Sequence, residues 1–205
     1  MSQKVWKRNF ADGHGLEKAL AAIKAPGPEV PIPHPPATFE ELAASDFGGK
    51  GFTLSSFTAS DAWELGHLLD ARLRPFASSS SSSSPSRPAL VHVSTASGTT
   101  LYQGATGAGL LPDHESWVRR KRATVLRWGV SSYLVGRKHG NGDERLFAAK
   151  NGLGPEGAGA YAIHGGGVPL RVEGVEGVVA VVVVSGLKQE EDHGVIADVI
   201  RSNWV

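Results

Sequence analysis

Asp192 and His193 stand side by side in a chain whose other chemistry-bearing residues are scattered. Imidazole titrates near neutrality and a nearby carboxylate can set its tautomer or charge, so the pair offers a general base, a metal ligand or an anion partner. Adjacent residues of a helix point about 100° apart, so the alternative reading gives them separate structural tasks. Asp192 then holds amides at a helix start, and His193 packs at a sheet edge or subunit seam. Lys121 follows Trp117 by four residues on one helical face, which favours partial burial. It can pair with Asp192 or Glu191, or meet a carboxylate or phosphate of a ligand. Gly165-Gly166-Gly167 leaves backbone amides unhindered, suiting a tight strand connection or the close approach of a ligand. The eight histidines include no HExxH and no compact ligand spacing. His92, His164 and His193 can converge only through the fold, and His193 is the candidate metal ligand. GATGAG at Gly104–Gly109 reads GxxGxG and runs into Leu110-Leu111-Pro112 rather than a helix start, so it is no dinucleotide fingerprint. Ser185 lacks the GxSxG frame of a nucleophile elbow.

The elements that must position these residues centre on Val178–Val184, a run of seven apolar residues of which six are valine. Such a run predicts a strand buried on both faces, and Ser185-Gly186-Leu187 with the charged stretch after it predicts delivery into a helix over 189–203. Val168–Val172 is the expected hairpin partner. Val91, Val93 and Thr95 alternate with Leu90, His92 and Ser94 as a second strand, paired through a turn with Leu101-Tyr102. Thr58 and Asp61 form a capping box for a helix that Pro75 should halt near Arg74. Asp113 and Ser116 are the expected caps of a helix ending before Gly129. Phe52, Leu54 and Phe57 suggest an edge strand, Phe147–Ala149 and Ala160–Ile163 are short strand candidates, and residues 132–136 fit a helix or a strand. Residues 1–50 form an N-terminal extension, either wrapped on the main domain or disordered in its first half. It carries an amphipathic helix over 14–24, a stretch of six prolines from Pro26 to Pro36, and a helix capped by Thr38. Residues 51–205 form the main domain, with a mobile serine-rich loop at 77–88.

The balance of 21 basic and 20 acidic residues gives no global attraction to nucleic acid or to an anionic membrane. Arg119, Arg120 and Arg122 beside Lys121 form a basic face without the aromatic series that nucleic acid would stack on. Cysteine is absent, which removes disulfides, thiolate nucleophiles and Cys-held metal. Met1–Phe10 has no apolar signal region, and the valine run is far short of the roughly 20 residues that span a bilayer. The expectation is a cytoplasmic protein with neither nucleic acid nor membrane as partner. The order of elements predicts an α+β domain with an antiparallel or mixed sheet flanked by helices.

From about Phe52 onward the chain resembles the UPF0303 family, within the broader haem-degrading HbpS-like group. The resemblance rests on DAWELG at Asp61–Gly66, ESWVRRK at Glu115–Lys121, the pair Ser131-Ser132, GGGVP at Gly165–Pro169 and VSGLKQEEDH at Val184–His193. It implies a profilin-like single domain that assembles into closed homo-oligomers, and it brings in haem as a cofactor, since some relatives bind or degrade it. The family pattern falls on Trp117, Lys121, Ser132, Gly166, Gly167, Pro169, Ser185, Gly186, Asp192 and His193; residues 1–50 and the serine run lie outside it. The resulting expectation is a small-ligand or cofactor-binding homo-oligomer, its ligand a small anion or haem. Lys121, Ser132, Gly166, Gly167, Ser185, Gly186, Asp192 and His193 are its candidate contacts, and no catalytic residue is assigned. One alternative is a non-catalytic interaction protein whose subunits meet through Trp117, Trp204 and the last helix. The other is a hydrolase or lyase with His193 as base.

Overall fold

The computed structural model describes residues 4–78 and 85–205; the serine run beyond Ser78 lies outside the described residues. The valine run becomes β6 (Ala180–Ser185), every residue of which is buried. It is flanked on both sides by antiparallel partners, β5 (Gly167–Val172) and β3 (Leu90–Thr95). β3 turns into β4 (Thr100–Ala105), antiparallel and at one edge. On the other side β5 runs parallel to β2 (Phe52–Leu54), and β2 runs parallel to β1 (Val5–Trp6), completing a mixed six-stranded sheet ordered β1-β2-β5-β6-β3-β4. β2 is therefore interior, not an edge strand, because Val5 and Trp6 of the extension pair with Thr53 and Leu54.

The period of two decides which helices cover which face. Val182 and Val184 of β6, with Val91 and Val93 of β3, pack into the large core formed with α3 (Ala59–Ser78) and α8 (Gln189–Asn203). Val181, Val183 and Leu90 point the opposite way, against Val118 and Val125 of α4 (Pro112–Trp128). α4 thus lies across the face of β6 opposite to α8, so that the C-terminal end of the strand emerges between two helices.

Several local readings are corrected by tertiary contacts. Pro75 does not halt α3: it forfeits one amide donor in the last turn, while Phe76 beyond it is buried and the ends of that turn are held by Arg87 N donating to Phe76 O and Ser86 Oγ donating to Ala77 O. α4 begins at Pro112, where a missing amide costs nothing, rather than at Asp113 or Ser116. Phe147–Ala149 lies in the helix α6 (Glu144–Lys150), which Asp143 caps by accepting from the amides of Arg145 and Leu146. Ala160–Ile163 follows the short helix α7 (Pro155–Gly159) and joins no strand. Its Ala162 is tied instead to α4, with the amide donating to Arg120 O and to Thr124 Oγ1, and the carbonyl accepting from that same hydroxyl. The ambiguous segment at 132–136 is helical, α5 (Ser132–Lys138), capped by Ser131 Oγ accepting from Leu134 N.

In the extension, α1 (Gly15–Lys24) packs on α3, and Thr38 caps α2 (Phe39–Ala44). Between them the proline-rich stretch crosses α3 and α8. Arg72 donates to the carbonyls of Val30 and Pro31 at 3.0 Å each, and Ile32 is buried beside Gly194. No described helix is long and apolar enough to cross a membrane.

Candidate functional site

Where β6 ends, Ser185 and Gly186 open onto a cleft of about 300 Å³ between α4 and the start of α8, lined by Trp117, Lys121, His164, Ser185, Gln189 and Asp192 among others. Lys121 reaches across the sheet end from α4. Its Nζ donates to Asp192 Oδ2 at 2.8 Å, to Val184 O at 3.0 Å and to Ser185 Oγ at 3.4 Å. Those three acceptors use all three ammonium donors. The side chains are 3% and 4% exposed, so this ion pair is essentially withdrawn from water. Asp192 turns its other oxygen to the Leu187 amide at 2.9 Å, closing the turn from β6 into α8. Burial pushes the Asp192 carboxyl above the usual range, against the pull of Lys121 and of the Leu187 and Gly186 amides.

The glycine corner makes room for this pair. Gly166 adopts φ +109°, and a Cβ there would lie 2.3 Å from Val184 O, 2.8 Å from Lys121 Nζ and 2.9 Å from Asp192 Cβ. A side chain at 166 would push the ion pair apart as well as strain the backbone. Gly167 begins β5, and its amide donates to Ser132 Oγ at 3.0 Å while that hydroxyl donates to His164 O at 2.5 Å. Ser132 is fully buried and makes no contribution to the cleft wall. It clamps the backbone of 164–167 and thereby positions His164.

His164 is one of two imidazoles on the cleft wall. It stands edge-on to Trp117 with ring centroids 5.2 Å apart, and its Nδ1 makes no hydrogen bond. Glu144 approaches that nitrogen only to 3.7 Å. Burial and the cations Lys121 and Arg120 lower its pKa, outweighing Glu144, so the ring is neutral at pH 7. His114 lies at the cleft's other side, its Nδ1 accepting from the Leu111 amide.

His193, by contrast, is taken out of the site. Its side chain is fully buried, its Nε2 donates to Phe47 O at 2.8 Å, and its ring lies against Tyr133 at 5.1 Å. Burial drops its pKa to about 4. A ring so enclosed neither collects a proton from a substrate nor reaches a ligand in the cleft, which removes the base from the hydrolase or lyase reading and the donor from a His193 metal site. The neighbours Asp192 and His193 point about 100° apart around α8, enough to send one to the cleft and the other to Phe47 and Tyr133. His92 is elsewhere again, bonded to Gln103 Oε1 at 2.8 Å. Among the described residues no group of three or more His, Asp or Glu is arranged to hold a metal ion.

Lys121, Ser185, Gly186 and Asp192 therefore meet in one cleft; Gly166, Gly167 and Ser132 support it from behind; His193 lies outside. The sequence reading missed His164 as a wall residue, together with His114 and Gln189. His164 figured there as one of three histidines, with His92 and His193, that the fold could bring together.

Comparisons with known proteins identify the family. Residues 57–201 match the family described as haem degrading protein HbpS-like, a span that contains every residue of the cleft. A UPF0303 protein of Streptomyces avermitilis is 39% identical over 166 residues, covering 81% of this chain and 90% of the relative. The UPF0303 protein Ybr137w of Saccharomyces cerevisiae is 34% identical over 143 residues, covering 68% of this chain and 71% of the relative. The crystal structure of Ybr137w protein superposes with a TM-score of 0.66 at 30% identity, covering 81% and 87% of the two chains. A double mutant of HbpS from Streptomyces reticuli shares the fold at a TM-score of 0.51 and 18% identity, over 76% and 91% of the two chains.

Proposed function

Since the chain belongs to the HbpS-like family and is a UPF0303 protein within it, we propose that it is a small-ligand-binding protein whose ligand enters the cleft beside Trp117 and His164. The observation that carries this reading is the neutral imidazole of His164, whose side chain is 34% exposed on the wall of an open cleft and stands edge-on to Trp117. An aromatic wall with a few polar groups is the usual lining of a small-molecule site, and a partly exposed neutral imidazole on it can bond to a ligand. The floor under it, the Lys121–Asp192 pair, has no free donor and serves as a fixed polar base rather than as a nucleophile.

Haem is the ligand that the family description suggests, and the residues fit it in one respect. A neutral imidazole is the usual axial ligand of haem iron, and His164, on the cleft wall beside Trp117, can supply one. The group when bound would supply iron chemistry; the chain supplies the imidazole, the Ser132 clamp that aims it, and the Trp117 wall. Haemin titrated into the protein is expected to give a shifted Soret band. The band should persist in His193→Gln and be lost in His164→Ala. An unchanged spectrum at micromolar haemin, or a band retained in His164→Ala, would overturn the assignment.

The same proposal includes assembly as a homo-oligomer in the cytoplasm. Trp204 and the apolar stripe of α8 are buried within the subunit, so they do not supply the contacts. The open edge of β4, next to Trp63 at 46% exposure and its neighbour His67, supports assembly instead, because an unpaired edge strand is a template for another chain.

A further inference from the structure

A second cleft, of about 430 Å³, lies on the far side of α5 and shares no residue with the first. Its interior is apolar: Leu134 is buried, and Trp128 and Val130 are partly so. Its charged residues are all cationic. Lys50 and Lys138 are exposed at its margin, and Arg171 reaches in from β5. None of the three forms an ion pair with a carboxylate among the described residues. Arg8, Arg72, Arg74, Arg87, Arg120, Lys121, Arg137 and Arg201, by contrast, have acidic partners.

Arg171 is the most informative of them. Its guanidinium is half-buried and bonded only to carbonyl oxygens, with Nη1 donating to Lys50 O at 2.7 Å and Nη2 to Gly129 O. Burial lowers its pKa, with no anion nearby to compensate. A guanidinium held by two carbonyls keeps donors for a planar anion. Desolvating a cation is costly unless a counter-charge arrives.

We propose that this cleft binds an amphipathic organic anion, its apolar tail among Trp128, Val130 and Leu134 and its carboxylate at Arg171, Lys50 and Lys138. The volume lies within the range of about 300–1,000 Å³ typical of small-molecule sites, and both halves of the ligand find their complement. Each methylene of the tail removed from water favours binding, while the three cations select the sign of the head.

Calorimetric titration of the full chain with sodium decanoate, below its micellar concentration, tests the assignment. Decanoate should bind at least tenfold more tightly than acetate, which lacks the tail, and than decyltrimethylammonium, which has the tail and the opposite charge. The exposed pair Lys50→Glu/Lys138→Glu, which leaves the core intact, should weaken decanoate at least tenfold while circular dichroism is unchanged. Equal binding of decanoate and the alkylammonium, equal binding of decanoate and acetate, or undiminished affinity in the double variant would each overturn the proposal.

Discussion

Replacing Lys121 with methionine is expected to lower the unfolding free energy by about 3–5 kcal/mol, the usual cost of removing one member of a buried ion pair. Methionine fills the channel between α4 and β6, so the loss comes from charge more than from volume. Val184 O and Ser185 Oγ lose their donor, and Asp192 is left charged and buried without a counter-ion. The stranded carboxyl then binds a proton more readily than in the unfolded chain. The stability of Lys121→Met should therefore fall as pH rises through the elevated pKa of Asp192, the opposite of the usual behaviour of a paired acid. The double variant Lys121→Met/Asp192→Asn should recover much of the loss, because the amide oxygen still accepts from the Leu187 amide and no charge remains. Urea unfolding of the two variants between pH 5 and pH 8 measures both effects. If Lys121→Met were within about 1 kcal/mol of the parent, the pair would be contributing no more than a surface salt bridge does.

The second large effect belongs to His193. The unfolded chain takes up a proton as pH falls through 6.5, whereas the folded chain holds this ring neutral down to about 4. Stability contributed by the neutral ring is thus complete above pH 6.5, declines as pH falls below it, and levels off below about 4. The interval corresponds to a loss on the order of 3 kcal/mol, at 1.36 kcal/mol for each pH unit. The structural reason is specific. Nε2 carries the proton that it donates to Phe47 O, and protonating the buried, partnerless Nδ1 would create a donor with nothing to accept it. His193→Gln, which retains a donor for Phe47 O, should flatten the stability profile between pH 7 and pH 4 relative to the parent. His164, also lowered by burial, adds a smaller slope in the same direction, and His193→Gln leaves that part in place.

What was legible in the sequence follows from the range of the physics involved. β6 with its hairpin partner β5, β3 with its hairpin partner β4, the capping box at Thr58 and the span of α8 are local patterns of apolar period and turn chemistry, and they are found where those patterns place them. Segments whose structure depends on distant contacts were not legible. Ala162 has strand-like neighbours but spends its hydrogen bonds on α4, and β2 acquires an outer neighbour only because residues near the chain start return to pair with it. The candidate site divides the same way. Lys121 and Asp192 could be singled out as a charge pair from residue type and helical position. Which of two histidines met the cleft depended on the packing of Phe47 and Tyr133 over His193, and on the Ser132 hydroxyl that sets the loop of His164. Neither contact leaves a short-range mark in the sequence.

The central claim is that His164, and not His193, is the imidazole offered to a ligand in this cleft. Carbethoxylation of histidines by diethyl pyrocarbonate, mapped by peptide mass spectrometry with and without haemin, tests it most directly. The reagent attacks neutral, accessible imidazoles. The account predicts that His164 reacts readily in the free protein and is protected by haemin, while His193 stays unmodified in both. Reaction at His193 in the folded protein, or a rate at His164 that haemin leaves unchanged, would contradict it.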